Sequence, residues 1–89
     1  MKVVITIVGR DRVGIIAMVS AILAENNINI LNINQNIVDG FFNMVMLADM
    51  SEAKANLAEI QTLFKVKAEE TGLDMKVQHE DIFRIMHRV

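Results

Sequence analysis

Between residues 8 and 15 the chain changes its apolar rhythm. The segment where it does so, Gly9-Arg10-Asp11-Arg12-Val13-Gly14-Ile15, constrains the fold more than any other. Before it, Val3, Ile5 and Ile7 alternate with Val4, Thr6 and Val8. That largely β-branched run predicts a strand buried on both faces. After it, Ile15, Val19, Ile22 and Asn26 recur at helical spacing, predicting a helix over 12–26 with Asp11 as N-cap and Asn26-Asn27 as the stop. Ile16, Ala17 and Leu23 fall off that stripe, so the helix is apolar on more than one face. A glycine-flanked turn at a helix start also gathers backbone N–H groups without intrahelical partners and the positive end of the helix dipole. Such a place suits the carboxylate of a small ligand. The segment therefore points to a binding module before it points to a reaction.

The rest of the chain continues the alternation of strand and helix. Ile28 to Val38 reads as a second strand in which Asn29, Asn32, Asn34, Gln35 and Asn36 interrupt the isoleucines. Its apolar phase slips between Ile30 and Leu31, which predicts a bulge. Asn32, Asn34 and Asn36 read as the exposed face of an edge strand. Asp39-Gly40 signals a hairpin into a third strand, Phe41 to Asp49, with Phe42, Met44 and Met46 opposite Val45 and Leu47. Ser51 is the expected cap of a second helix running to Thr71, with Leu57, Ile60, Phe64 and Ala68 inward and Gly72 at its end. Leu73, Met75, Val77 and His79 then alternate with Asp74, Lys76, Gln78 and Glu80, a half-solvated last strand. Residues 81–89 form an expected short amphipathic helix on Ile82, Ile85, Met86 and Val89. The order β-α-β-β-α-β predicts an α+β, ferredoxin-like sandwich: a four-stranded antiparallel sheet with both helices on one face. The first and third strands, apolar on both faces, take its centre.

With this order, Gly9-x-Asp11-Arg12-x-Gly14-Ile15 after the first strand and Asn27-Ile28-Asn29-Ile30 opening the second resemble the ACT domain. The likeness spans residues 1 to about 80 and extends to the ACT units of the glycine cleavage system repressor; it leaves no room for an attached enzyme. It implies a small stand-alone regulatory module that binds an amino acid and pairs side by side through the second strand. By the same resemblance the ligand lies between the first turn of one subunit and the second strand of its neighbour. Asp11 corresponds to the polar loop residue that contacts the ligand, Gly14 to the glycine of close backbone approach, and Asn29 to the asparagine supplied by the neighbouring chain. The N–H groups near Val13, Gly14 and Ile15, with Arg12 beside them, would hold the carboxylate. Val13 stands where many members carry proline. Each residue has a plainer role open to it. Asp11 can be only a helix cap, Gly14 can serve helix–sheet packing, Asn29 can satisfy a strand start, and Arg10 and Arg12 can be solvated loop charges.

Composition narrows the function classes. Eighty-nine residues make one small domain, taken here as 1–89 with 81–89 as its tail. Hydrophobic residues are 53% of the chain and charged ones 22%, more apolar surface than a core this size readily hides. Self-association is the expected outlet, a homodimer or a tetramer through an open apolar face. The net charge of −2 comes without a basic block, and Tyr and Trp are absent, which argues against nucleic acid as a partner. No cysteine is present, which removes disulfides, thiolate metal sites and thiol nucleophiles. His79, Glu80, Asp81 and His87 match no standard metal spacing, so neither metal nor cofactor is expected. No paired carboxylates or nucleophile–base motif supports an enzyme. No apolar run approaches the roughly 18 residues of a membrane span and no signal-peptide pattern appears, so the expected location is cytoplasmic. Two functions remain: a ligand-sensing regulatory homodimer acting on an enzyme or regulator, and a docking module on the same scaffold that binds no ligand.

Overall fold

The computed structural model describes residues 1–82. Four strands and two helices follow in the order β1 (Lys2–Arg10), α1 (Ile15–Glu25), β2 (Asn29–Val38), β3 (Phe41–Asp49), α2 (Leu57–Thr71) and β4 (Asp74–His79). The sheet order is β2-β3-β1-β4 and all neighbours are antiparallel, so β1 and β3 are central and β2 and β4 are the margins. This is the ferredoxin-like split βαβ arrangement expected from the rhythm of the sequence. Residues 80–82 begin a helical turn after β4; the rest of the expected tail helix lies outside the described residues.

One face of the sheet carries the core. Val3, Ile5 and Ile7 of β1 and Met44, Met46 and Ala48 of β3 are buried against Ile15, Val19 and Leu23 of α1 and Ile60 and Phe64 of α2. The opposite face differs from the expectation of strands buried on both sides. Val4 is buried there, but Thr6 and Leu47 are only half-buried, and Val8 and Val45 are exposed. β-branched composition therefore reported strand propensity on that face rather than coverage. His79 likewise falls on the core side but at the end of β4, where it is half-exposed and its Nδ1 accepts the Asp81 N–H at 3.1 Å.

Local signals decide where the elements begin and end. The phase slip in β2 is a bulge at Leu31, with Ile30 opposite Ala48 and Asn32 opposite Leu47. Asp39 and Gly40 close the β2–β3 hairpin with φ of +50° and +80°, the pair of positive values that matches the twist of the flanking strands. Two expected caps are corrected. Asp11 does not cap α1, since it lies three residues before the N-cap position, and its backbone N–H donates to the Gly40 carbonyl at 2.8 Å. The helix begins only at Ile15, after Gly14, which has φ +93° and no side-chain cap. Ser51 does not cap α2 either, because its N–H and hydroxyl both donate to the Asp49 carboxylate. Asn56 takes that role in a reciprocal capping box with Glu59. The exit from α1 is a Schellman turn, with the Asn27 N–H to Ala24 O at 3.1 Å and the Ile28 N–H to Leu23 O at 2.9 Å.

Candidate functional site

β1, the β2–β3 hairpin and the start of α1 meet at one end of the sheet. The hydrogen bond from Asp11 to Gly40 ties the β1–α1 turn to the hairpin. Between this turn and the upper part of β2 lies a cleft of about 440 Å³, lined by residues 11–17 together with Gln35, Ile37 and Phe42. Asp11, Arg12, Val13, Gly14 and Ile15, all named from sequence, come together here. The first carbonyl used within α1 is that of Gly14, which accepts the Met18 N–H at 2.9 Å. The N–H groups of Ile15, Ile16 and Ala17 therefore precede the intrahelical ladder and belong to residues that line the cleft at the positive end of the dipole. The donors lie slightly later in the chain than the trio near Val13, Gly14 and Ile15 anticipated from sequence, because the helix starts later.

Gly14 has a torsional role here. A Cβ at this position would meet no atom within 4 Å, which removes the helix–sheet packing reading. Its φ of +93° is the reason for glycine. The packing glycine is Gly9, where a Cβ would run into Leu73. Arg12 and Asp11 are exposed, on either side of one peptide bond, and neither forms a salt bridge among the described residues. Arg10 lies 5.8 Å from the centre of the Phe41 ring, a cation–π contact across the β1–β3 register.

Asn29 is not in this cleft. It opens β2 at the opposite end of the sheet, opposite Asp49, and with Ala24, Asn27, Ile28 and Glu52 it lines a second cleft of about 360 Å³. Within one chain, then, Asp11 and Asn29 are separated by nearly the whole of β2. The strand between them is a bare margin. Leu31, Ile33, Ile37 and Val38 are all exposed, with Ile37 at 57% of its full area. Ile33 and Ile37 sit opposite the buried Met46 and Phe42, so they belong to the helix side of the sheet, beyond the cover that α1 provides.

Sequence reading missed Gln35, Ile37, Phe42, Ile16 and Ala17 as lining residues, and Asn27 and Glu52 beside Asn29. For the strand residues a signal existed. Counting alternation onward from the Leu31 bulge puts Ile33, Gln35 and Ile37 on the helix side and Asn32, Asn34 and Asn36 on the other.

Comparison with known proteins agrees with this geometry. A family model described as the ACT domain matches residues 2–78. A UPF0237 protein of Clostridium perfringens is 53% identical over 89 residues, covering 100% of both chains. An ACT domain protein of Streptococcus pneumoniae superposes with a TM-score of 0.80 at 32% identity, over 93% of each chain. A structure described as a glycine cleavage system transcriptional repressor superposes with a TM-score of 0.76 at 25% identity, over 86% of this chain and 43% of that one. No helix among the described residues is long and apolar enough to cross a membrane.

Proposed function

The chain belongs to the ACT-domain family, whose members are typically small-molecule-binding regulatory modules, and from that premise we propose that it works as a homodimer that binds a free amino acid between its subunits. One observation carries the reading. The cleft with unpartnered helix N–H groups opens directly beside an edge strand whose apolar residues are bare. Pairing two β2 strands antiparallel would bury Ile33 and Ile37 and join two sheets into one. A small domain with this much exposed apolar surface gains stability from such burial.

In this arrangement the N–H groups of Ile15, Ile16 and Ala17 hold the ligand carboxylate, with the Arg12 guanidinium as a nearby positive charge. Asp11 accepts from the ammonium group, and Asn29 of the partner subunit fixes orientation with one donor and one acceptor. Ile37, Phe42 and Val13 give an apolar wall for the ligand side chain. Binding across two chains biases their relative position by the difference in affinity between arrangements, which is how such a module passes a signal to an enzyme or regulator. A non-enzymatic role is part of the proposal. The test is calorimetric titration with each of the twenty protein amino acids, beside a mass measurement by light scattering. Heat with one or a few amino acids and a dimeric mass are expected. A folded monomer would refute the dimeric site; a folded dimer silent to the whole panel would leave the ligand-free docking module as the function.

A further inference from the structure

We infer that the open face of the sheet, opposite the helices, is where two β2-paired dimers stack, sheet against sheet, to close a tetramer. The inference rests on the dimeric reading above. Alternation along the strands puts Val4, Thr6 and Val8 of β1 and Asn43, Val45 and Leu47 of β3 on this face. Among the described residues no helix lies over it, because α1 and α2 both pack on the other side, against Val3, Ile5 and Ile7. Val8 and Val45, on the two central strands, are 44% and 42% exposed, and Phe41 and Val38 beside them are 49% and 57% exposed.

The middle of this face carries no ionisable side chain. β2 adds only amides to it, Asn32, Asn34 and Asn36, opposite Leu47, Val45 and Asn43. Lys2, Arg10 and Asp49 stand at strand ends, and Asp74 and Lys76 lie on β4, the margin farthest from β2. An uncharged centre inside a charged rim is the anatomy of a protein–protein contact. The groups in the centre also select the occupant. A two-fold contact sets a patch against its own copy, so a charge near the axis would meet its like. Valine and leucine match themselves, and the asparagine amide and threonine hydroxyl each both donate and accept. The face is therefore self-complementary, which favours a second copy over a partner of different sequence. Size sets the order of assembly. Strands about 4.8 Å apart, rising about 3.3 Å per residue, give one chain a face of roughly 500 Å². A stable contact takes about 800 Å² from each partner, so a single chain falls short. Pairing through β2 lays two such faces side by side in one eight-stranded sheet, about 1,000 Å² in all. The pair, not the single chain, is what stacks. Its central asparagines exchange hydrogen bonds with water for hydrogen bonds across the contact at little net gain. Stacking is therefore weaker than the β2 seam, and the dimer is the species at low concentration.

Sedimentation velocity from low micromolar to near-millimolar concentration reads the assembly. The wild type should pass from dimeric toward tetrameric mass as concentration rises. Val45→Lys and Val8→Lys each place a charge in the middle of the face. Both should keep the dimeric mass throughout, a weakening of stacking by about a hundredfold or more, with the far-UV spectrum as in the wild type. Ile33→Lys, at the seam, should be monomeric at every concentration, because one chain's face is too small to stack alone. A wild type that stays dimeric over the whole range would overturn the inference, and so would a tetramer that survives both lysine variants. If the wild type stays dimeric while a chain ending at Ile82 forms tetramers, the occupant is the chain's own residues 83–89, and the second copy is overturned in that role. A wild type that is monomeric throughout fails the dimeric reading itself, which separates that outcome from the others.

Discussion

Gly9 lies in β1 opposite Phe42 of β3, just past the point where β1 leaves β4, and its missing side chain is what lets Leu73 reach the core. A Cβ built on Gly9 would collide with Leu73 Cδ2 and stand 3.4 Å from Leu73 Cα. Leu73 is only 6% exposed and is part of the core cluster, so it cannot swing outward without leaving a void. Gly9→Ala therefore overpacks a finished contact, a class of change that costs about 1–3 kcal/mol. Gly9 has no positive φ, so alanine adds no torsional strain and recovers roughly 0.5 kcal/mol of chain entropy. The net expectation is a loss of about 1–2 kcal/mol, or roughly 5–15 °C in Tm for a chain of this size. Urea unfolding at one fixed protein concentration measures it, because self-association would otherwise shift the apparent stability. Leu73→Ala alone should cost about 2–4 kcal/mol by leaving a cavity. In that background the obstacle is gone, and Gly9→Ala should cost nothing or stabilise slightly. Equal penalties for Gly9→Ala in both backgrounds would refute the assignment of Gly9 to this contact.

Further outcomes follow from other sites. Gly14→Ala should cost about 1–2 kcal/mol from the left-handed φ alone, and Gly14→Asn clearly less, in thermal unfolding of the two variants. Asn56→Ala removes one side of the α2 capping box and should cost about 1 kcal/mol in urea unfolding, with hydrogen exchange quickening first at Leu57–Glu59. Ile33→Lys, on the bare helix side of β2, should give a monomer by light scattering while the far-UV spectrum stays unchanged. The Ser51 hydroxyl and N–H hold the Asp49 carboxyl below its usual value. Its contribution to stability is then present above the ordinary carboxylate pKa and lost as pH falls through the lowered one. Ser51→Ala should move the Asp49 midpoint upward in a carboxyl NMR titration, and an unmoved midpoint would contradict the hydroxyl contact.

The order of elements, the central places of β1 and β3, the hairpin at Asp39-Gly40 and the bulge at Leu31 were all legible in the sequence. They depend on local chemistry, a run of β-branched residues or a residue pair that tolerates positive φ. The helix starts were less so, since several residues could cap and only tertiary partners choose among them. Asp11 is left three residues short of the helix by the tie of its backbone to Gly40, and Ser51 is drawn off by Asp49. Asn56 with Glu59 did carry the N-x-x-E form of a capping box, a signal that reading Ser51 first obscured. The cleft was half legible. The turn 11–15 announced itself through its glycine and charges, whereas Gln35, Ile37 and Phe42 join it only once sheet register is known. Nothing in the spacing of Asn27 and Glu52 tells that the loop before α2 returns to the end of α1.

The two margins of the sheet are chemically unlike. β4 carries Asp74, Lys76 and Gln78, while β2 carries uncovered isoleucines. Only one margin invites further strands, and a two-fold match of β2 with β2 consumes it on both molecules at once. What remains at each outer rim is polar and discourages another arrival. In the proposed dimer, growth by strand addition would end after a single event, and an edge able to seed fibres would be confined to a closed pair.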